Sequence, residues 1–83
     1  MEYHIDCKQI ITSQEFHRVL AETLSFPEWY GHNLDALFDC LTELETACLV
    51  LENWDACSAY AQGFRDVFLD AQEENPDFSV IFQ

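Results

Sequence analysis

Eighty-three residues, 49% of them hydrophobic and only two Gly and two Pro among them, describe one folded domain, which excludes a disordered tail or a linker. Sixteen Asp and Glu against Lys8, Arg18 and Arg65 give a formal net charge of -13, a balance that disfavours nucleic acid and anionic membrane as partners and favours a basic protein. No apolar run is long enough to span a bilayer, and residues 1 to 6 carry neither a basic leader nor an apolar signal core, so the expected compartment is the cytoplasm.

Along the chain, Tyr3-His4-Ile5-Asp6-Cys7 alternates and suits a first strand, with residues 8 to 12 as a connection. Thr12 or Ser13 caps a helix whose first turn holds Glu15, as the helix dipole favours, and whose Phe16, Val19, Leu20 and Leu24 recur at helical spacing. Pro27 requires that helix to stop before it. Asn33 is the next cap, since its side-chain oxygen can accept from an otherwise unpaired amide of the first turn. In the helix that follows, Leu34, Leu37, Leu41 and Leu44 fall on one stripe with Cys40 at its edge, while Asp35, Asp39, Thr42 and Glu43 fall on the opposite one. Ala47-Cys48-Leu49-Val50-Leu51 is a short apolar run, as expected of a central strand buried on both faces of a parallel sheet. Residues 54 to 61 predict a short helix; Phe64, Val67, Phe68 and Ala71 predict another that ends before Pro76; Phe78-Ser79-Val80-Ile81-Phe82 predicts a last strand. The expected fold is α/β: a single small domain over residues 1 to 83, with a three-stranded parallel β-sheet packed with about four α-helices and right-handed crossovers.

The acidic helix is the candidate site. Like charges at i and i+4 cost an isolated helix about 0.2–0.5 kcal/mol, so Asp35 beside Asp39 does not serve helix stability. Trp29, Tyr30 and Phe38 lie near these carboxylates, and aromatic side chains next to charge at a turn-helix junction are typical interface anchors. Between Arg18 and Arg65 the chain holds eight carboxylates and no Lys or Arg, a charge distribution that steers a basic partner over a screening length of about 8 Å in physiological salt. A solvated acidic face that keeps a small domain dispersed accounts for the same charges.

Cys7, Cys40, Cys48 and Cys57 form no Cys-x-x-Cys pair, and with no secretory signal they read as reduced, structural thiols. His4, His17 and His32 lack zinc-type spacing, so no metal and no cofactor is expected. His17, within an apolar helical pattern, reads as a packed or hydrogen-bonded histidine, and His32 as an exposed one ahead of the cap.

The segment Leu-x-Phe-Pro-Glu-Trp-Tyr-Gly-His-Asn-Leu-Asp-Ala-Leu-Phe-Asp-Cys-Leu-Thr over residues 24 to 42 strongly resembles the barstar family of intracellular ribonuclease inhibitors. His17 in its Phe-His-Arg-Val-Leu setting, Leu49-Val50-Leu51-Glu52, the helix around Phe68 to Ala71 and the terminal strand follow the family order, so the resemblance covers nearly the whole chain. It implies inhibition by plugging a nuclease active site. Asp39 matches the carboxylate that enters the phosphate site and pairs with catalytic Arg and His residues, standing in for a substrate phosphate. Asp35 matches a second carboxylate on that face, Thr42 a flanking polar contact, and Gly31 and Asn33 the turn that lies against the enzyme. Trp29 takes the position of a family tyrosine that packs on a nuclease histidine, and Asp70 that of an acidic residue, usually Glu, on the later helix. Phe38 replaces a tryptophan, Leu44 stands where an aromatic contact often sits, and the segment between Glu52 and Phe64 is short, which trims the third helix.

The resemblance thus implies a non-enzymatic immunity protein. It would be a monomer when free and bind a basic extracellular-type ribonuclease or related nuclease toxin as a 1:1 complex, with a cognate enzyme different from the best-known one. The alternatives are an acidic domain that binds a basic partner other than a nuclease, and an enzyme using Asp35 and Asp39 as an acid and base pair. The last lacks any sequence sign of an enclosing cleft that would raise one carboxyl pKa above the other.

Overall fold

Three parallel strands form a single sheet in a computed structural model that describes residues 1–57 and 61–83. The order is β1 (Glu2–Asp6), a 3-10 turn (Cys7–Gln9), α1 (Ser13–Leu24), α2 (Leu34–Thr42), β2 (Ala47–Glu52), a second 3-10 turn (Trp54–Cys57), α3 (Ala61–Glu74) and β3 (Phe78–Phe82). The sheet order is β1-β2-β3 with both pairings parallel, so the apolar run is the central strand. No helix among the described residues is long and apolar enough to cross a membrane.

Local chemistry sets the helix boundaries. The Thr12 hydroxyl accepts from Glu15 N at 3.1 Å, which satisfies one orphan donor of the first turn of α1, and the Glu15 carboxylate reaches back to accept from Ile11 N, just ahead of the cap, at 3.1 Å. Ser25 ends α1 in the left-handed region at φ 58, and Phe26 N returns to Ala21 O at 2.9 Å, which turns the chain before Pro27. At α2, Asn33 caps as its position predicts: Oδ1 accepts from Ala36 N at 2.8 Å.

One face of the sheet, with Ile5, Leu49, Leu51, Phe78 and Val80, meets Phe16 and Leu20 of α1, Leu37 and Leu41 of α2, and Phe64 and Phe68 of α3. Phe16 stacks on Phe64 with ring centroids 4.5 Å apart, and Phe16, Phe68 and Leu37 are fully buried. Truncating such an aromatic costs about 3–5 kcal/mol, a large share of a small domain's stability. On the opposite face Glu2, His4, Ser79 and Ile81 are exposed; Val50 is still 3% exposed, because its register neighbours His4 and Ile81 flank it. The cysteines are free thiols, and burial next to Cys57 pushes the Cys7 thiol up to about 12, so it stays protonated as a small apolar filler.

The α-helices among the described residues number three, not about four. The helix expected over residues 54 to 61 is a 3-10 turn at Trp54–Cys57, with 58–60 outside the described residues and Ala61 already opening α3. Asn53 at φ 57 bends the chain off β2, Trp54 packs its ring 4.7 Å from Phe82, and the Cys57 thiol donates to Trp54 O at 3.2 Å. Anchors this close together hold residues 54 to 57 in one tight turn.

Gly63 lies inside α3, where glycine costs about 1 kcal/mol relative to alanine. Its use is close approach, since a Cβ built there would stand 2.9 Å from Leu34 Cδ1 across the α2–α3 contact.

Candidate functional site

The turn ahead of α2 is held from inside. Tyr30 N donates to Pro27 O at 3.0 Å, and the Tyr30 ring turns inward, 5% exposed, with its hydroxyl hydrogen-bonded to His17 Nδ1. Tyr30 is therefore not an interface anchor, although it reads as one beside Trp29 and Phe38: two adjacent rings on a turn point opposite ways, and the core takes one of them. Trp29 is left 67% exposed. His32 sits in the left-handed region at φ 52 and lays its ring 5.1 Å from Tyr30 and 6.1 Å from His17. Burial and the neighbouring His32 both lower the His17 pKa, and burial raises that of the Tyr30 phenol, so both partners of this bond stay neutral near pH 7. His17 is buried and structural; His32 is exposed.

Gly31 serves the cap. A Cβ there would meet Asn33 Nδ2 at 2.9 Å, the same amide that donates to Gly31 O at 3.3 Å while its Oδ1 holds Ala36 N. The turn and the first turn of α2 thus lock each other.

Downstream of that lock, α2 packs along α3, and between them opens a depression of about 440 Å³ lined by Leu34, Asp35, Phe38, Asp39, Val67 and Asp70. Three carboxylates and three apolar side chains share its lining. Of the residues expected to bind a partner, the structure brings together Asp35, Phe38, Asp39 and Asp70 here, the last arriving from the other helix. Trp29, Gly31, Asn33 and Thr42 lie outside it, the first three on the turn and Thr42 at the last helical position, where its hydroxyl donates to Asp39 O at 2.9 Å. Leu34 and Val67 are lining residues that sequence reasoning missed, because both repeat on helical apolar stripes and read as core. Leu34 is instead 36% exposed. A helical wheel orders residues around one axis and does not show where the neighbouring helix ends.

Among the described residues, no ion pair or hydrogen bond engages the Asp35, Asp39 or Asp70 carboxylate. The basic side chains are engaged elsewhere: Arg18 bonds Glu22 at 3.1 Å, Arg65 lies 5.8 Å over the Phe82 ring, and Lys8 neighbours Asp6. Asp35 sits in the first turn of α2, where the helix dipole favours an anion, but Asp39 has no such support. The site therefore projects uncompensated negative charge around an apolar patch, the chemistry that receives a guanidinium or imidazolium with its flat ring surface against carbon and its N–H edge against carboxylate. Among the described residues, no group of three or more His, Cys, Asp or Glu is placed to hold a metal ion.

Comparison with known proteins places the whole chain in one family. The family model described as "Barstar (barnase inhibitor)" matches residues 1–83. The protein named "Putative ribonuclease inhibitor YrdF" from Bacillus subtilis (strain 168) is 38% identical over 87 aligned positions, which cover 95% of this chain and 94% of that one. A strand order, a capped acidic helix and an end-to-end family match lead to one conclusion: the chain belongs to the barstar family.

Proposed function

We propose that residues 1 to 83 act as one inhibitor domain that blocks a basic, extracellular-type ribonuclease in a 1:1 complex, seating the α2 carboxylates where the enzyme binds substrate phosphate. The observation that carries this reading is the set Asp35, Asp39 and Asp70, unpaired among the described residues and sharing one depression with Leu34, Phe38 and Val67, in a chain whose family is described as barnase inhibitors. The relative named as a ribonuclease inhibitor supports the same partner class.

Asp39 takes the central role because it lies midway along the exposed face of α2, inside the depression and free of any partner among the described residues. An arginine fork matches its two oxygens bidentately, which fixes orientation as well as supplying charge. Asp35 and Asp70 flank it from the two helices, Phe38 supplies the flat surface between them, and Trp29, Gly31, Asn33 and Thr42 make the surrounding contact. Trp29 is the exposed ring suited to pack on a nuclease side chain at the rim. The net charge of -13 accelerates encounter with a basic enzyme. The domain binds and does not catalyse: the depression is open, and nothing in it excludes water from the carboxylates or sets two of them apart as acid and base. In the cell it acts as a cytoplasmic immunity protein, silencing the nuclease before export.

Titration of the protein into a barnase-type ribonuclease, following binding heat and RNA cleavage together, tests the reading. Activity should vanish at one equivalent, and Asp39→Ala should weaken binding by about 2–5 kcal/mol, as truncation of one member of a desolvated charge pair does. Binding to a basic protein that lacks nuclease activity, with no inhibition of ribonucleases, would instead identify an acidic interaction domain.

A further inference from the structure

A glycine inside a helix needs a reason, and at Gly63 the reason touches the binding face. Gly63 is half-buried on α3, and the space where its Cβ would be is taken by Leu34 Cδ1, 2.9 Å from the ideal Cβ position. No side chain atom fits at that distance, so any other residue at this position forces Leu34 to move. Leu34 belongs to the first turn of α2 and, with Val67 of α3, lines the depression beneath Asp35, Asp39 and Asp70. With the glycine in place, the leucine lies against α3. Displaced from it, the leucine has the depression itself and the solvent beyond to turn into, since it is already 36% exposed.

We propose that Gly63 is a positioning residue for the binding face: by leaving room for Leu34, it sets the depth of the depression between the three carboxylates and hence the size of the basic side chain that fits there. The proposal rests on the inhibitor reading above and assigns a role in it to a residue that does not itself line the depression. It also accounts for a helix-weakening residue on a helix whose other inward positions, Ala61, Phe64, Phe68 and Ala71, are buried side chains.

The test is a double-mutant cycle between positions 63 and 34, read in the free protein and in the complex with a barnase-type ribonuclease. In the free Gly63→Ala protein, Tm should be equal or higher, because alanine favours the helix, while the Leu34 methyl resonances shift and lose their cross-peaks to α3. In the complex, Gly63→Ala should raise Kd about tenfold when Leu34 is present and less than about twofold when Leu34→Ala has removed the clashing methyl. Equal losses in the two backgrounds, no loss in either, or unmoved Leu34 methyls would each overturn the proposal. If the wild-type chain fails to bind the ribonuclease, the inhibitor reading falls on its own. The packing role of Gly63 is then decided by the methyl measurement, displaced methyls supporting it and unmoved ones overturning it.

Discussion

Replacing Asn75 by alanine should destabilise the protein more than any other single polar substitution outside the apolar core. Asn75 is 7% exposed and uses its whole side chain: Nδ2 donates to Leu41 O at 3.0 Å and to Leu44 O at 2.9 Å, and Oδ1 accepts from Asp77 N at 3.0 Å. The Leu41 carbonyl, which also accepts from Leu44 N at 3.3 Å, lies in the last turn of α2, the Leu44 carbonyl lies just past the Glu43 cap, and Asp77 leads into β3. One amide thus ties the helix that carries Asp39 and Thr42 to the end of α3 and to the sheet. A hydrogen bond contributes about 0.5–1.5 kcal/mol net, and leaving a buried acceptor unsatisfied costs about 1–3 kcal/mol, so the loss should be about 2–4 kcal/mol. Against a total stability of about 4–12 kcal/mol for a domain of 83 residues, that is about a sixth of the margin or more. It corresponds to a fall in Tm of about 10–25 °C. Urea unfolding at constant m-value measures it. Asn75→Asp, nearly the same size, is the control: it keeps the acceptor for Asp77 N but turns a carboxylate oxygen toward two carbonyl oxygens, so it should be at least as damaging as alanine. A cost below about 1 kcal/mol for Asn75→Ala, or an innocuous Asn75→Asp, would refute the argument that these bonds, and not packing volume, hold the end of α2.

Three other expectations follow from the same geometry. Asn33→Ala removes the cap on α2 and should cost about 0.5–2 kcal/mol in urea unfolding, with a further loss of ribonuclease affinity as the first turn carrying Asp35 frays; an unchanged midpoint would show the cap to be idle. His4 bonds Glu2 at 2.7 Å and Glu52 at 3.0 Å, and these hydrogen bonds raise its pKa above 6.5 in the folded state. Its contribution is then fully present below the unfolded value of 6.5 and is lost as pH rises through the folded value, so wild type should exceed His4→Ala in unfolding midpoint at pH 5.5 more than at pH 8.5; a pH-independent difference would contradict this. Association with a basic ribonuclease should slow steeply between low and physiological salt while dissociation changes little, and a flat association rate in stopped flow would mean that the carboxylate face does not steer.

Much of the molecule was legible in the order of its residues. The caps at Thr12 and Asn33, the stop before Pro27, the central strand and the outward face of α2 are decided by contacts within a few residues or by the period of the apolar pattern, and the structure has each of them there. The pair Asp35 and Asp39 could be singled out because like charges one helical turn apart work against the helix itself, and the resemblance of residues 24 to 42 to the barstar family implies the central place of Asp39. Over residues 54 to 57 the expected helix is a 3-10 turn: Trp54 and Cys57 follow a helical rhythm, while the distant Phe82 and the bend at Asn53 that hold those residues to one turn leave no mark in it. Tyr30 beside Trp29 shows the same limit, since which of two adjacent rings turns inward depends on His17 waiting on another helix.

What the sequence determined by itself, then, is what has a local cause: where α1 begins and stops, where α2 begins, which strand is central, and that one helix carries charge it does not need. What only tertiary structure decided is the site's shape. Asp70 joins Asp35 and Asp39, Leu34 becomes a lining residue instead of core, and Gly63 acquires a purpose, all through the packing of α3 against α2. Periodicity specifies the direction a side chain takes around its own helix axis. The distance to the next helix, and what stands there, is set by the fit of buried side chains over the whole core.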